Sequence, residues 1–180
     1  MFYLGIIIIC IVGTLLHFTY EFSNHNKIVA IFSAVNESTW EHIKICMTPT
    51  ILWSIYELIE YGINVNFLVA KSLSLLTIIL LIPILFYSYI YFTKKSILVI
   101  DVICFYLTVT CSQFVFKNIA VIGSIPIIYV YLCIVLLSIE LIAYFYLTFH
   151  PFKNFIFEDP NSHKYGLDGH TEMEHLNHKH

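Results

Sequence analysis

The chain has 180 residues, of which 59% are hydrophobic and only 12% are charged. Its mean hydropathy is +0.82. A soluble domain of this length cannot hide so much apolar surface, so lipid must solvate part of it. The net charge is −3, and the nine basic residues are all Lys. Without Arg the chain lacks the side chain best suited to bidentate phosphate recognition, and without a basic patch nucleic acid is not an expected partner.

Five apolar segments approach the roughly 20 residues that a helix needs to cross the hydrocarbon core. Their predicted bounds are 2–20, 44–63, 67–92, 97–116 and 121–149. No basic residue precedes the first segment and no A-x-A site follows it, so it is predicted to be a retained span and not a signal peptide. The second segment is the weakest, because it carries Pro49, Glu57 and Glu60. The predicted fold class is all-α: an integral membrane helical bundle over 1–150, followed by a polar, His-containing tail over 151–180.

Lysine placement predicts the orientation of this five-helix bundle. Seven lysines fall on one side of the membrane, and only Lys71 and Lys117 fall on the other. The positive-inside rule therefore favours an extracellular N-terminus and a cytoplasmic tail. We expect a multi-pass protein of the cell membrane, with the lipid bilayer as its first partner.

In this topology, polar residues from distant segments reach the cytoplasmic face. They include a dense run within an otherwise apolar chain, Asn36-Glu37-Ser38-Thr39-Trp40-Glu41-His42. His17 and Glu21 end the first span, Asp101 opens the fourth, and Glu140 lies roughly two turns from the end of the fifth. An ionisable residue inside a span costs about 3 kcal/mol to insert and is by default a candidate for a functional site.

The spacing of these residues suggests a metal site or acid–base chemistry. His17 and Glu21 are four residues apart, as are Glu37 and Glu41, so each pair shares one side of a helix. Imidazole and carboxylate groups from two helices suit a divalent transition metal, which is the candidate cofactor. The candidate metal ligands are His17, Glu21, Glu41 and His42. The candidate catalytic residues are Glu41, His42 and Glu37 as acid–base groups, with Asn36 orienting substrate or water. Asp101, Gln113 and Glu140 are further polar candidates.

Structural roles explain part of the same run. Ser38 and Glu41 match a capping box, in which both side chains satisfy free N–H groups at a helix start. Trp40 fits an interfacial anchor. The terminal histidines His170, His175, His178 and His180 can bind metal loosely, but a solvated end without fixed ligand geometry is the expected structure.

These motifs resemble those of a family of small bacterial integral membrane proteins with an NES-x-WEH-x-K signature. The matching positions are Asn36, Glu37, Ser38, Trp40, Glu41, His42 and Lys44. His17 and Glu21 resemble the family's upstream pair, and Asp101 and Gln113 its fourth-span polar positions. The tail runs Phe157-Glu158-Asp159-Pro160 and Lys164-Tyr165-Gly166-Leu167 resemble its closing elements. The resemblance implies a multi-pass protein whose polar residues form one set, and it implies no established activity.

Three functions fit these observations. The first is a membrane enzyme, metal-assisted, that acts on a lipid or another membrane-accessible substrate. The second is a transport or binding protein for an ion or small molecule, with Glu57, Glu60 and Glu140 as a polar path. A five-helix carrier without an inverted repeat would need a homo-oligomer or a membrane partner. The third is an accessory subunit whose polar residues lock helices together.

Overall fold

The structure, a computed structural model, describes residues 1–169 and contains six α-helices in that range. They are α1 (Phe2–Phe22), α2 (Val29–Phe32), α3 (Thr39–Tyr61), α4 (Val65–Thr93), α5 (Leu98–Ala120) and α6 (Ile127–Phe149). Within the described part of the chain there is no β-strand, only an isolated bridge between Glu158 and Tyr165. The predicted all-α class is confirmed. The terminal histidines from His170 onward lie outside the described residues.

Four of the helices, α1, α4, α5 and α6, are long and apolar enough to cross a membrane. The chain is therefore a multi-pass membrane protein. Helix α3 has 23 residues, as many as α5, but it is not among these four. Twelve residues of α3 are buried, eleven of them between Thr39 and Thr50. Neighbouring helices, and not lipid, therefore surround this polar half. Because it does not face lipid, α3 can have a lower hydropathy than the four other long helices. That α3 also crosses the membrane stays a prediction.

Local sequence signals set the ends of the helices. Helix α3 begins after Ser38, whose hydroxyl accepts a hydrogen bond from the Glu41 N–H at 3.4 Å. This is half of the predicted capping box. Helix α3 ends at Gly62, where φ is +76°, a value that glycine adopts without steric cost. Helix α6 begins at Ile127, six residues after the predicted start of the last span, because the chain turns before Pro126.

Helix α1 packs very closely on α3 and α5. A Cβ atom on Gly13 would lie 2.4 Å from the ring of Phe105 and 2.9 Å from the carbonyl oxygen of Ile45. Pro49 has no N–H to donate to that carbonyl four residues earlier. Gly13 therefore contacts α3 at the Ile45 carbonyl, which lacks its usual helical hydrogen bond. His17 lies one turn further along α1, on the same side as Gly13.

The starts of α3 and α5 lie at one end of the bundle, together with the ends of α1, α4 and α6. We call this end the tail face, because residues 150–169 pack against it. Phe157 is buried, and its ring centroid lies 5.1 Å from that of Trp40. The backbone N–H of Trp40 donates a hydrogen bond to the carbonyl of Ile156 at 2.9 Å. The tail therefore extends the hydrophobic core at the start of α3.

Candidate functional site

The loop before α3 is fixed by hydrogen bonds to the tail. The Asn36 amide donates to the carbonyl of Gly166 at 2.8 Å, and its oxygen accepts from the Ser38 N–H at 2.9 Å. The Glu37 N–H donates to the carboxylate of Asp159 at 2.9 Å. Asn36 therefore holds the loop, and these contacts fix the backbone that presents the Glu37 side chain.

Glu37 lies between two histidines from different helices. Its Oε1 is 3.4 Å from Nε2 of His17 on α1, and its Oε2 is 3.9 Å from Nε2 of His42 on α3. One ligand atom from each of these three residues lies within 4.8 Å of the others. We call this set the His–Glu–His trio. All three side chains are only partly buried, with 25% of His17, 43% of Glu37 and 28% of His42 exposed.

A backbone carbonyl fixes the tautomer of His42. Nδ1 of His42 lies 2.9 Å from the carbonyl oxygen of Ser38. A carbonyl oxygen only accepts hydrogen bonds, so Nδ1 carries the proton. In the neutral ring the lone pair is then on Nε2, the atom that faces Glu37. Metal-bound histidines commonly have this arrangement, with the second ring N–H held by an outer partner.

The histidines also hold the charge on Glu37. The hydrogen bond from His17 lowers the pKa of the Glu37 carboxyl below its usual 4.5, against partial burial, which raises it. The charges of His42 and His17 lower that pKa further. The carboxylate is therefore ionised at neutral pH and can bind a cation.

The trio fits a divalent metal in donor type and spacing. Two imidazoles and one carboxylate are the protein ligands of many catalytic zinc and non-haem iron sites. Ligands about 2.1 Å from a tetrahedral metal are about 3.4 Å apart. The His17–Glu37 separation has this value. The His42–Glu37 separation, which ends on the other carboxylate oxygen, exceeds it by about half an ångström. Unlike Nδ1 of His42, which contacts the Ser38 carbonyl, Nδ1 of His17 is buried and has no hydrogen-bond partner among the described residues.

A cavity of about 860 Å³ opens beside the trio. Its walls come from α1, the start of α3, the α4–α5 turn and the tail. Trio residues thus face a space large enough for a small molecule. A metal bound by three protein ligands would keep open positions toward this space.

Glu41 does not join the trio. It is 1% exposed, and its carboxylate lies 2.6 Å from the ammonium of Lys44, which is fully buried. The same carboxylate accepts the N–H of Val35 at 2.9 Å, and Lys44 donates to the carbonyl of Ala30 at 2.8 Å. This buried pair ties α3 to the segment between α1 and α3, and it has no face on the cavity.

The other predicted site residues lie in different places. Glu21 is exposed near the end of α1 and outside the trio. Asp101 lines the cavity and accepts hydrogen bonds from the hydroxyls of Ser96 and Tyr89. Gln113 is buried on α5, beside Glu57. Glu140 is 4% exposed on α6.

The tail contributes residues that the sequence did not single out for the site. Glu158 and His163 line the cavity, and Asp159 positions Glu37. Asp159 is 1% exposed and also accepts the N–H groups of Asn161 and Ser162. The available signal was the Asp-Pro pair after an aromatic run, which is typical of a tight turn.

Fold and site together define a multi-pass helical membrane protein with a His–Glu–His cluster beside a cavity at one end of its bundle. Its sequence matches the model of a family of unknown function, DUF6512, over residues 1–167. The chain therefore belongs to this family. No curated protein and no solved structure matches the chain.

Proposed function

We propose that the protein is a metal-assisted membrane enzyme that acts on a lipid or another membrane-accessible substrate at the tail face. The observation that supports this most is the His–Glu–His trio on the wall of a cavity. Its three ligand atoms come from α1, from α3 and from the loop before α3, which hydrogen bonds to the tail hold in place. Three separate elements therefore converge on one point.

In this proposal His17, His42 and Glu37 hold a divalent cation, which supplies Lewis-acid chemistry and an activated water. The chain's own groups position and protect the reaction. Ser38 keeps the proton of His42 on Nδ1. Asp159 and Asn36 fix the loop that carries Glu37. Asp101, also on the cavity wall, is an ionisable group within the same space and is the candidate general base.

Metal analysis of the purified full-length protein tests the proposal. We expect about one equivalent of a transition metal in the wild type. The double variant His17→Ala/Glu37→Gln should lose it, because losing only a hydrogen-bond partner of a ligand already weakens metal sites 10- to 100-fold, and this variant loses two ligands. His150→Ala is the matched control, since it removes one exposed histidine outside the trio. All three forms keep the terminal histidines, so any metal bound there contributes equally and does not affect the difference in metal content between them. Equal metal content in all three forms would refute the trio as a metal site.

A specific observation favours ion transport as the second candidate. Glu140 lies inside α6, and neither oxygen of its carboxyl group has a hydrogen-bond partner among the described residues. Glu57 on α3 forms a buried ion pair with Lys71 on α4 at 2.5 Å. Intramembrane carboxyl groups of this kind often mark ion pathways. Glu140→Gln should abolish ion flux into proteoliposomes if this candidate holds. It should leave a reaction at the tail face unchanged.

A further inference from the structure

The cavity beside the trio is also lined by two carboxylate side chains that do not belong to the trio. Two of its wall residues are Asp101, from the first turn of α5, and Glu158, from the tail. Hydroxyl groups of Ser96 and Tyr89 donate to Asp101 and orient it without neutralising it. Glu158 contacts the imidazole of His163 at 2.9 Å. No lysine is among the described residues that line the cavity, and the chain has no Arg.

The same cavity has an apolar and aromatic side at the edge of the bundle. This side consists of Phe86, Tyr87, Ile90, Leu98 and Phe155. Ile90 is in the last turn of α4, and Leu98 is the first residue of α5, with 77% of its surface exposed. Both helices are apolar enough to cross the membrane. An alkyl chain lying on these residues would therefore remain in contact with the bilayer.

We propose that this cavity binds an amphiphile that carries an ammonium group, with its alkyl chain against Ile90 and Leu98 and its cationic end at Asp101 and Glu158. Carboxylates and aromatic faces together are suited to an ammonium ion, which gains from both. A purely anionic amphiphile would meet two carboxylates and no cationic side chain. The inference rests on the proposed function, since it names the substrate class of the same site.

Matched photoreactive probes test this charge preference. The full-length protein in neutral maltoside micelles is exposed to a hexadecyl trimethylammonium probe, or to a hexadecyl sulfate probe with the diazirine on the same carbon. The readout is the labelled fraction of the α4–α5 peptide that contains Ile90 and Leu98. We expect the ammonium probe to label this peptide about tenfold more than the sulfate probe, which corresponds to about 1.4 kcal/mol.

Variants separate the cavity charges from the metal site. Asp101→Asn/Glu158→Gln should bring the labelling ratio close to one. The single variant Glu158→Gln, in the tail, should lower the labelling ratio partway. It serves as the test if the double variant does not fold. Glu60→Gln is the control, an exposed carboxylate at the far end of α3. His17→Ala should remove the metal; because this loss leaves the cavity more negative, the ratio should stay at or above its wild-type value, so the two proposals fail separately. Equal labelling by both probes, or a ratio unaffected by either cavity substitution, would overturn the inference.

Discussion

Two glutamates four residues apart, Glu37 and Glu41, have opposite environments. Glu37 is 43% exposed and faces two histidines and a cavity. Glu41 is 1% exposed and faces Lys44 and a backbone N–H. The start of α3 lies between them, because Ser38 is its N-cap. Residues that share a helical face at this spacing separate when one of them precedes the helix.

This difference distinguishes a structural carboxylate from a candidate functional one. The ion pair of Glu41 and Lys44 is closed, since each group also has a backbone partner and neither reaches the cavity. The contacts of Glu37 are longer and leave it open to a further ligand. The interior pair of Glu57 and Lys71 resembles Glu41 in its burial. A charged group is thus a site candidate only where its partners leave part of it free.

The largest expected effect is on stability, from breaking the pair of Glu41 and Lys44. Glu41→Gln leaves a buried ammonium without its counter-charge, so we expect a loss of about 3–5 kcal/mol in the free energy of unfolding. Thermal unfolding in detergent, followed by thiol labelling of the buried Cys46, measures it. Metal content of the protein that remains folded should be unchanged.

The double variant Glu41→Gln/Lys44→Met is the matched control for this prediction. Removing both charges avoids the uncompensated ammonium, so stability should recover much of the single-variant loss. If Glu41→Gln instead melted like the wild type and lost its metal, Glu41 would be a ligand, and the contrast with Glu37 would fail.

Much of the fold was accessible from the sequence, and for a definite reason. Bilayer thickness sets the length of apolar helices, so composition alone predicted five spans, and four of them coincide with helices long and apolar enough to cross a membrane. The capping signal at Ser38 marks the start of α3, five residues before the predicted start of the second span. The trio depended on something that no local pattern shows: a 16-residue connection between α1 and α3, residues 23–38, is held by the tail through Asp159 and Gly166. Contacts more than 120 residues apart decide which of the two glutamates faces the histidines.

An intermediate effect should follow from weakening this tail contact. Asp159→Asn replaces a carboxylate that accepts three backbone N–H groups. We expect a loss of about 1–3 kcal/mol, local to the tail and the loop before α3. Amide hydrogen exchange should therefore accelerate at Glu37 and Ser162, while the middle of α4 stays protected. Uniform acceleration through all helices would show that the tail is part of the global core instead.

The same variant sharpens the comparison of the two glutamates. Because Asp159 positions the backbone of Glu37 and does not contact Glu41, metal affinity should fall together with loop protection. Asn161→Ala is the control, since it changes a cavity residue whose backbone N–H, and not its side chain, contacts Asp159.

The smallest effect concerns the pH dependence that Glu37 gives to stability. Its pKa is lowered in the folded protein, chiefly by the hydrogen bond from His17. A lowered carboxyl pKa stabilises the folded state above the usual value of 4.5, and this contribution is lost as pH falls through the lowered pKa. Because the side chain is nearly half exposed, solvent screens the contribution to about 0.5 kcal/mol. In metal-free protein, melting temperatures of the wild type and Glu37→Gln should therefore differ slightly at pH 7 and converge as pH falls from 4.5 through the lowered pKa. A difference of several kcal/mol at pH 7 would place Glu37 with Glu41 as a structural carboxylate, and the distinction between them would disappear.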